Sequence, residues 1–412
     1  MQRNVGLVIG ARLISRIGGE AAFFVGLWGK AAFVLGATTW QMTGLMAALS
    51  LSSLVGSAIA GVLVDRFDPR RVLIASEVLF VPATLAMIAA DTIPSLIGWT
   101  VFFGLAGAPT FTAIASFAPY LTNDDKRLTS INSSIEAAGM AAVFLGPAAG
   151  ALAVGWFSVD AVFVFDAITS LIAVAMVVPV RLRTVERTER SSVLREARVG
   201  LSFTYGHRAL RFFVAGTSII WLVFGAFSVL EPFFFRDVLG TSLEAVGWVA
   251  SLFGLGLFAG SLSLRRLPAG LVSARGMAGV LAVNGLGTFL YAGTDRLWVV
   301  AIGAVVWGYL IGLFAPIVRT LLHLHSPEAL VGRISSVNQI HSEVAHFVPL
   351  LAIPLAVAVF GVQDVMVSLG VVLIVAGGLA YRTGAAIDRQ YPIEVAADDI
   401  ETRLDDPIAP HL

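Results

Sequence analysis

Glu20 is the side chain with the greatest chemical potential in this sequence. It closes the stretch Ser15-Arg16-Ile17-Gly18-Gly19-Glu20 inside the apolar run that opens the chain, with Phe23 and Phe24 just beyond. A carboxylate surrounded by hydrocarbon is costly to keep charged, so such an acid either exchanges a proton or sits in a fixed ion pair. Arg12 and Arg16 precede it at successive four-residue steps and share its face if the run is helical. Two readings stay open: a protonatable Glu20 whose counter-ion is Arg16 or Arg12, and a permanent Arg16–Glu20 pair that fixes helix packing. Far along the chain His341, Glu343 and His346 lie within two helical turns; imidazole titrates near neutral pH, and Arg319 is a candidate partner for Glu343. The trio also permits a metal site, with a satisfied polar network between helices as the alternative. Glu231, next to Pro232 and near Phe227 and Phe233-Phe234-Phe235, suits an organic cation held among rings, or is a helix-end acid facing water. Asp166 and Glu136 read as structural hydrogen-bonding groups, and Glu77, near the cytoplasmic half of its run, as part of a gate scaffold.

Other chemistry is excluded. There is no Walker loop, no GxGxxG after a strand, no HExxH and no nucleophile elbow, so neither ATP hydrolysis nor another enzymatic activity is expected. The chain has no cysteine, which rules out disulfides and thiolate metal sites. No resident metal or organic cofactor and no nucleic-acid partner is assigned.

The elements that carry these residues are membrane spans. The sequence is 57% hydrophobic and only 13% charged, against about 25% charged in a soluble domain. A helix needs about 20 apolar residues to cross the hydrocarbon core, and about twelve such runs occur, near 5–35, 40–64, 72–90, 94–121, 129–155, 160–180, 212–235, 243–264, 277–293, 297–322, 334–360 and 363–382. Basic residues concentrate on one side of alternating spans, with Arg236 and Arg296 in loops on the other, so both termini are expected in the cytoplasm. The expected organisation is an N-terminal six-helix bundle (1–181), a basic linker (182–211), a second six-helix bundle (212–383) and a disordered acidic tail (384–412). Within the linker Val193, Leu194, Ala197, Leu201 and Tyr205 recur at helical spacing opposite Arg195, Glu196 and Arg198. That pattern predicts an amphipathic helix on the inner leaflet, or else a solvated basic linker. Thr129-Ser130-Ile131-Asn132 and Ser335-Ser336-Val337-Asn338 open the fifth and eleventh runs, a sign of internal repetition.

One loop carries a family resemblance. Gly61-Val62-Leu63-Val64-Asp65-Arg66-Phe67-Asp68-Pro69-Arg70-Arg71 is similar to the G-x-x-x-D-R-x-G-R-[KR] loop between spans two and three of the major facilitator superfamily, with Asp68-Pro69 where that family usually has glycine. Ser15 to Glu20, the Asp166-Ala167-Ile168-Thr169 element and Pro327 to Arg333 resemble the branch holding enterobactin-exporter-like, macrolide-efflux and tetracycline-efflux proteins. Gly139 with Gly146-Pro147-Ala148-Ala149-Gly150 resembles the glycine-proline motif of exporters, whose small residues admit close approach of the two halves. Span four contains no arginine, unlike drug antiporters with a relay there.

The resemblance implies an all-α membrane protein of twelve spans in two pseudo-symmetric six-helix bundles, exporting hydrophobic or amphipathic small molecules such as antibiotics by proton-driven alternating access. It implies a cavity lined by spans one, four, seven and ten, whose candidates are Phe24, Trp28, Phe103, Phe111, Trp221, Phe224, Phe227, Glu231, Trp307, Phe314 and Arg319. About half of these rings should instead face lipid or other helices. It also implies a cytoplasmic latch from Gly61, Asp65, Arg66, Arg70 and Arg71, with Asp65 against the span-eleven start at Gly332, Arg333 to Ser336, and Arg66 against Asp124 or Asp125. The expected partners are a small-molecule substrate, protons and the lipid bilayer of the inner membrane, for a monomeric protein. Proton-coupled uptake, lipid flipping and a non-transporting membrane sensor or channel are the alternatives.

Overall fold

Apolar runs of this length can satisfy their backbone within a bilayer only as helices or closed barrels, and the computed structural model, which describes residues 2–183 and 193–392, is helical with no strand among those residues. The spans are Gln2–Val34, Thr39–Val64, Pro69–Ala86, Ile93–Ala115, Asp125–Trp156, Val159–Val177, Arg208–Val238, Leu243–Ser263, Ala274–Ala292, Leu297–Leu324, the bent pair Val331–Leu351 with Ile353–Phe360, and Val362–Gln390. They are called spans one to twelve in that order. Nine have the length and hydropathy to cross a membrane alone, and the pair in span eleven bends by 43° beside Pro349 and Pro354.

Polar side chains at the starts explain why the helices begin where they do. Thr38 with Gln41, and Thr92 with Ser95, form capping boxes on spans two and four, while Ser158 and Ser273 cap spans six and nine. Span three shows why Asp68-Pro69 replaces a glycine: Asp68 accepts from the Arg71 amide at 2.8 Å, and Pro69 supplies the first helical residue. The expected fourth run, 94–121, ends early at Ala115, and Pro119 falls in a separate turn, Ala118–Leu121. Spans one and seven end in π-helical turns, Ala22–Leu27, Gly29–Val34 and Phe234–Val238, which the apolar pattern did not reveal.

The chain forms two compact units, one of 1–186 with 231–254, the other of 187–230 with 255–412. In the first, span one packs on spans five and six, and span four on spans two and three. In the second, span nine lies between spans ten and twelve, and a linker helix, Val193–Gly206, packs on span eleven. On the linker helix Val199, Leu201 and Tyr205 are exposed and Thr204 is buried, and the close contact with span eleven is made at Gly200, where a side chain would come within 3.0 Å of the Arg333 carbonyl. The side chains of residues 193–197 lie outside the described residues.

Candidate functional site

In the first unit, Glu20 meets Arg16 one turn earlier on span one: Arg16 Nε donates to Glu20 Oε1 at 2.9 Å, with the two side chains 25% and 15% exposed. The pair is partly accessible, so water can still reach the carboxylate. Arg12 lies deeper, and both guanidinium groups stand over the ring of Phe111 on span four, at 5.0 and 5.2 Å from its centroid. Cation–π attraction of this kind lets an apolar helix hold two like charges side by side. Phe111 itself stays 49% exposed. One carboxylate, two guanidinium groups and an accessible ring thus share one place.

The surroundings of span one are unusually tight. A side chain at Gly18 would strike Thr169 and Asp166 on span six, and one at Gly146 would come within 2.8 Å of the Ile17 carbonyl. Gly139 faces the Arg12 guanidinium and Gly150 faces Val25. The glycines of the glycine-proline motif therefore seat span one. The close approach of the chain's second half falls to span eight: Gly247 meets the Pro147 carbonyl and Ala151, Gly254 meets Val143 and Phe144, and Ser251 Oγ donates to the Phe144 carbonyl at 2.7 Å. Asp166 is fully buried and accepts from Thr84 Oγ1 at 2.8 Å; Glu77 accepts from Ser15 Oγ at 2.7 Å. Both acids tie spans one, three and six together.

Two basic groups at the far end of span one escaped the sequence reading. Lys30, read only as part of an apolar run, is buried and donates to Asp160 Oδ1 and the Ile88 carbonyl, each at 3.0 Å. Arg236, expected in a loop, belongs to the π-helical end of span seven. Its Nη1 donates at 2.7 Å to the carbonyl of Ala32, and Asp237 accepts from the other two nitrogens at 2.6 and 2.9 Å. Ala32 lies in the last turn of span one, where carbonyls lack intrahelical partners, and a guanidinium is well suited to fill one. A lone lysine between apolar neighbours, and an i, i+1 Arg-Asp pair beside an aromatic run, were the available signals.

In the second unit, span seven crosses span eleven so closely that a side chain at Gly225 would strike the His346 backbone. Around that crossing Phe224 stacks on Trp307 at 5.8 Å, Phe227 lies 4.7 Å from Trp307, and Trp221 packs edge-on to His346 at 6.1 Å. Phe227, Trp307 and Phe314 are buried in this unit, as Trp28 and Phe103 are in the first. Trp221 is exposed, and Phe24, Phe224 and Glu231 are half-buried.

The span-eleven trio does not converge. His341 Nε2 lies 2.6 Å from Tyr205 Oη, Glu343 accepts from Gln339 at 2.7 Å, and among the described residues no three such groups could hold a metal. The expected Arg319–Glu343 pair is absent, because Glu343 and Arg319 are both exposed and Gln339 occupies the acid.

At the motif loop, Arg70 donates to the carbonyls of Val177 and Val178 at the end of span six, where a cation suits the helix dipole. Asp124 caps span five through the Arg127 amide at 3.2 Å, Arg66 is exposed, and there is open space around Gly61. The side chains of Asp65 and Asp125 lie outside the described residues.

Buried charges between long apolar helices, a break in span eleven and glycine-seated crossings are those of a polytopic helical membrane protein. Residues 35–349 match the Major Facilitator Superfamily, and the chain belongs to that family of transporters. A comparison with curated proteins gives no match. Among solved structures, a bacterial homolog of the human lysosomal transporter Spinster, described as inward-facing and unoccupied, is similar at 14% identity with a TM-score of 0.71, over 93% of this chain and 97% of that one. The nucleoside transporter NupG is similar in two structures. A point mutant of it gives 12% identity and a TM-score of 0.72 over 91% and 100% of the two chains, and NupG itself gives 11% and 0.71 over 93% and 99%. At these identities the likeness is one of fold.

Proposed function

We propose that the protein exports hydrophobic or amphipathic small molecules by alternating access, driven by protons that bind and leave Glu20. The observation that carries this reading is the Arg16–Glu20 pair, partly accessible and set beside Arg12 and the exposed ring of Phe111. A carboxylate whose guanidinium partner has a second attraction, the ring, can release that partner when protonated. Charge then moves without leaving a bare cation in hydrocarbon. Accessible aromatic groups, Phe111 and Trp221, with half-buried Phe24, Phe224 and Glu231, favour a bulky substrate with an apolar or cationic body over a sugar.

Purified protein in proteoliposomes tests the reading through substrate-dependent proton movement. Antiport is expected; co-movement of proton and substrate in one direction would replace export with uptake, and no proton movement would remove the coupling. In cells lacking their own efflux pumps, expression should lower susceptibility to bulky apolar drugs. Unchanged susceptibility across a broad panel, with saturable sugar uptake, would contradict the substrate class.

A further inference from the structure

Spans nine, ten and twelve, with residues 267–273, border an open pocket of about 770 Å³ that the transport reading does not use. Its body is apolar, with Gly279 and Val283 of span nine and Leu310 of span ten among its walls. Where span nine begins and span twelve ends, the lining turns charged, with Arg275 and Asp388. Arg275 is exposed, its guanidinium 5.1 Å from the centroid of the Tyr381 ring, and no carboxylate pairs with it among the described residues. Asp388 is held in place by the span-nine backbone, accepting from the Ala274 amide at 2.8 Å and the Arg275 amide at 3.0 Å. Each of its oxygens keeps a lone pair for another donor. Arginine and tyrosine at the end of a span are also the pair that anchors a helix at the membrane surface.

We propose that this pocket binds a zwitterionic aminophospholipid: its phosphate on Arg275, its primary ammonium donating to Asp388, and an acyl chain along Val283 and Leu310. The volume lies within the usual range of small-molecule sites, roughly 300–1,000 Å³. Charge complementarity selects the head group. An anionic lipid would satisfy Arg275 but place a second negative charge beside Asp388. A choline lipid carries no N–H to donate. A primary ammonium next to a phosphate supplies both signs in the required order, as charge-assisted hydrogen bonds.

Native mass spectrometry of the full-length protein, delipidated and then given phosphatidylethanolamine, phosphatidylcholine or phosphatidylglycerol with identical acyl chains, tests the assignment. Wild type should retain the ethanolamine lipid about tenfold better than the other two, the scale of one charge-assisted hydrogen bond. Arg275→Gln, at an exposed position, should lower that retention by a similar factor. Asp388→Asn keeps an oxygen for the helix cap and should erase the preference for ethanolamine over choline. Gly279→Leu, which fills the pocket, should reduce binding of all three lipids. Equal retention of the three lipids by wild type, or unchanged ethanolamine-lipid binding in Arg275→Gln and Gly279→Leu, would overturn the proposal.

Discussion

Removing the half-exposed partner of Lys30 should damage the protein more than removing the buried lysine itself. The Lys30 side chain is 7% exposed, whereas that of Asp160 is 44% exposed. Lys30→Met keeps the apolar stem and deletes the ammonium. Asp160 then turns to water, and the loss reduces to one screened ion pair and one hydrogen bond to Ile88, about 1–2 kcal/mol. Asp160→Ala instead leaves a buried ammonium with a single carbonyl partner. Stripping a buried charge of its counter-ion costs about 3–5 kcal/mol. The double variant should therefore be more stable than Asp160→Ala alone and close to Lys30→Met, because the second substitution removes the stranded charge. Thermal unfolding in detergent, followed by intrinsic tryptophan fluorescence for the four proteins, gives the order directly. If Lys30→Met is the worse single variant, or if the double variant loses the sum of both, the desolvation argument fails.

Two further outcomes follow from local geometry. Gly146→Ala should lower stability by about 1–3 kcal/mol through overpacking, because the added methyl meets the Ile17 carbonyl at 2.8 Å, whereas Gly61→Ala has open space and should change the unfolding midpoint little. At the end of the linker helix, burial lowers the proton affinity of His207, with His325 beside it adding to the effect, and burial likewise lowers that of His325, partly offset by the Leu321 carbonyl and by Asp388. Because the folded state favours the neutral rings, their contribution is complete above the ordinary histidine value near 6.5 and fades as pH falls below it. Hydrogen exchange around residues 200–212, corrected for intrinsic rate, should therefore speed up between pH 7.5 and 5.5 in wild type but not in His207→Phe/His325→Phe.

The spans were legible because hydrocarbon demands long apolar helices, and most boundaries fall within a few residues of the apolar runs. The caps that set them, such as Thr38 and Ser273, are also visible as residue types. The Arg16–Glu20 contact followed from four-residue spacing, since both partners share one helix. What spacing within a helix cannot give is the partner on another helix. Lys30 finds Asp160 across 130 residues, Arg236 finds a carbonyl at the end of span one, and Glu343 takes nearby Gln339 instead of the expected Arg319. The glycines of span five stood out in the sequence as small residues, but the helix that Gly146 and Gly150 seat, span one, is a matter of tertiary arrangement. The same holds for the linker helix, whose seat on span eleven at Gly200 no apolar periodicity marks.

The central claim is that Glu20 carries the coupled proton, and Glu20→Gln tests it most directly because the amide keeps the shape of the side chain and cannot ionise. The measurement is substrate movement driven by an imposed pH gradient in proteoliposomes, alongside equilibrium binding of the same substrate, for wild type and variant. The account predicts that the variant binds substrate with an affinity close to wild type and shows no gradient-driven movement. Undiminished gradient-driven movement in Glu20→Gln would contradict it.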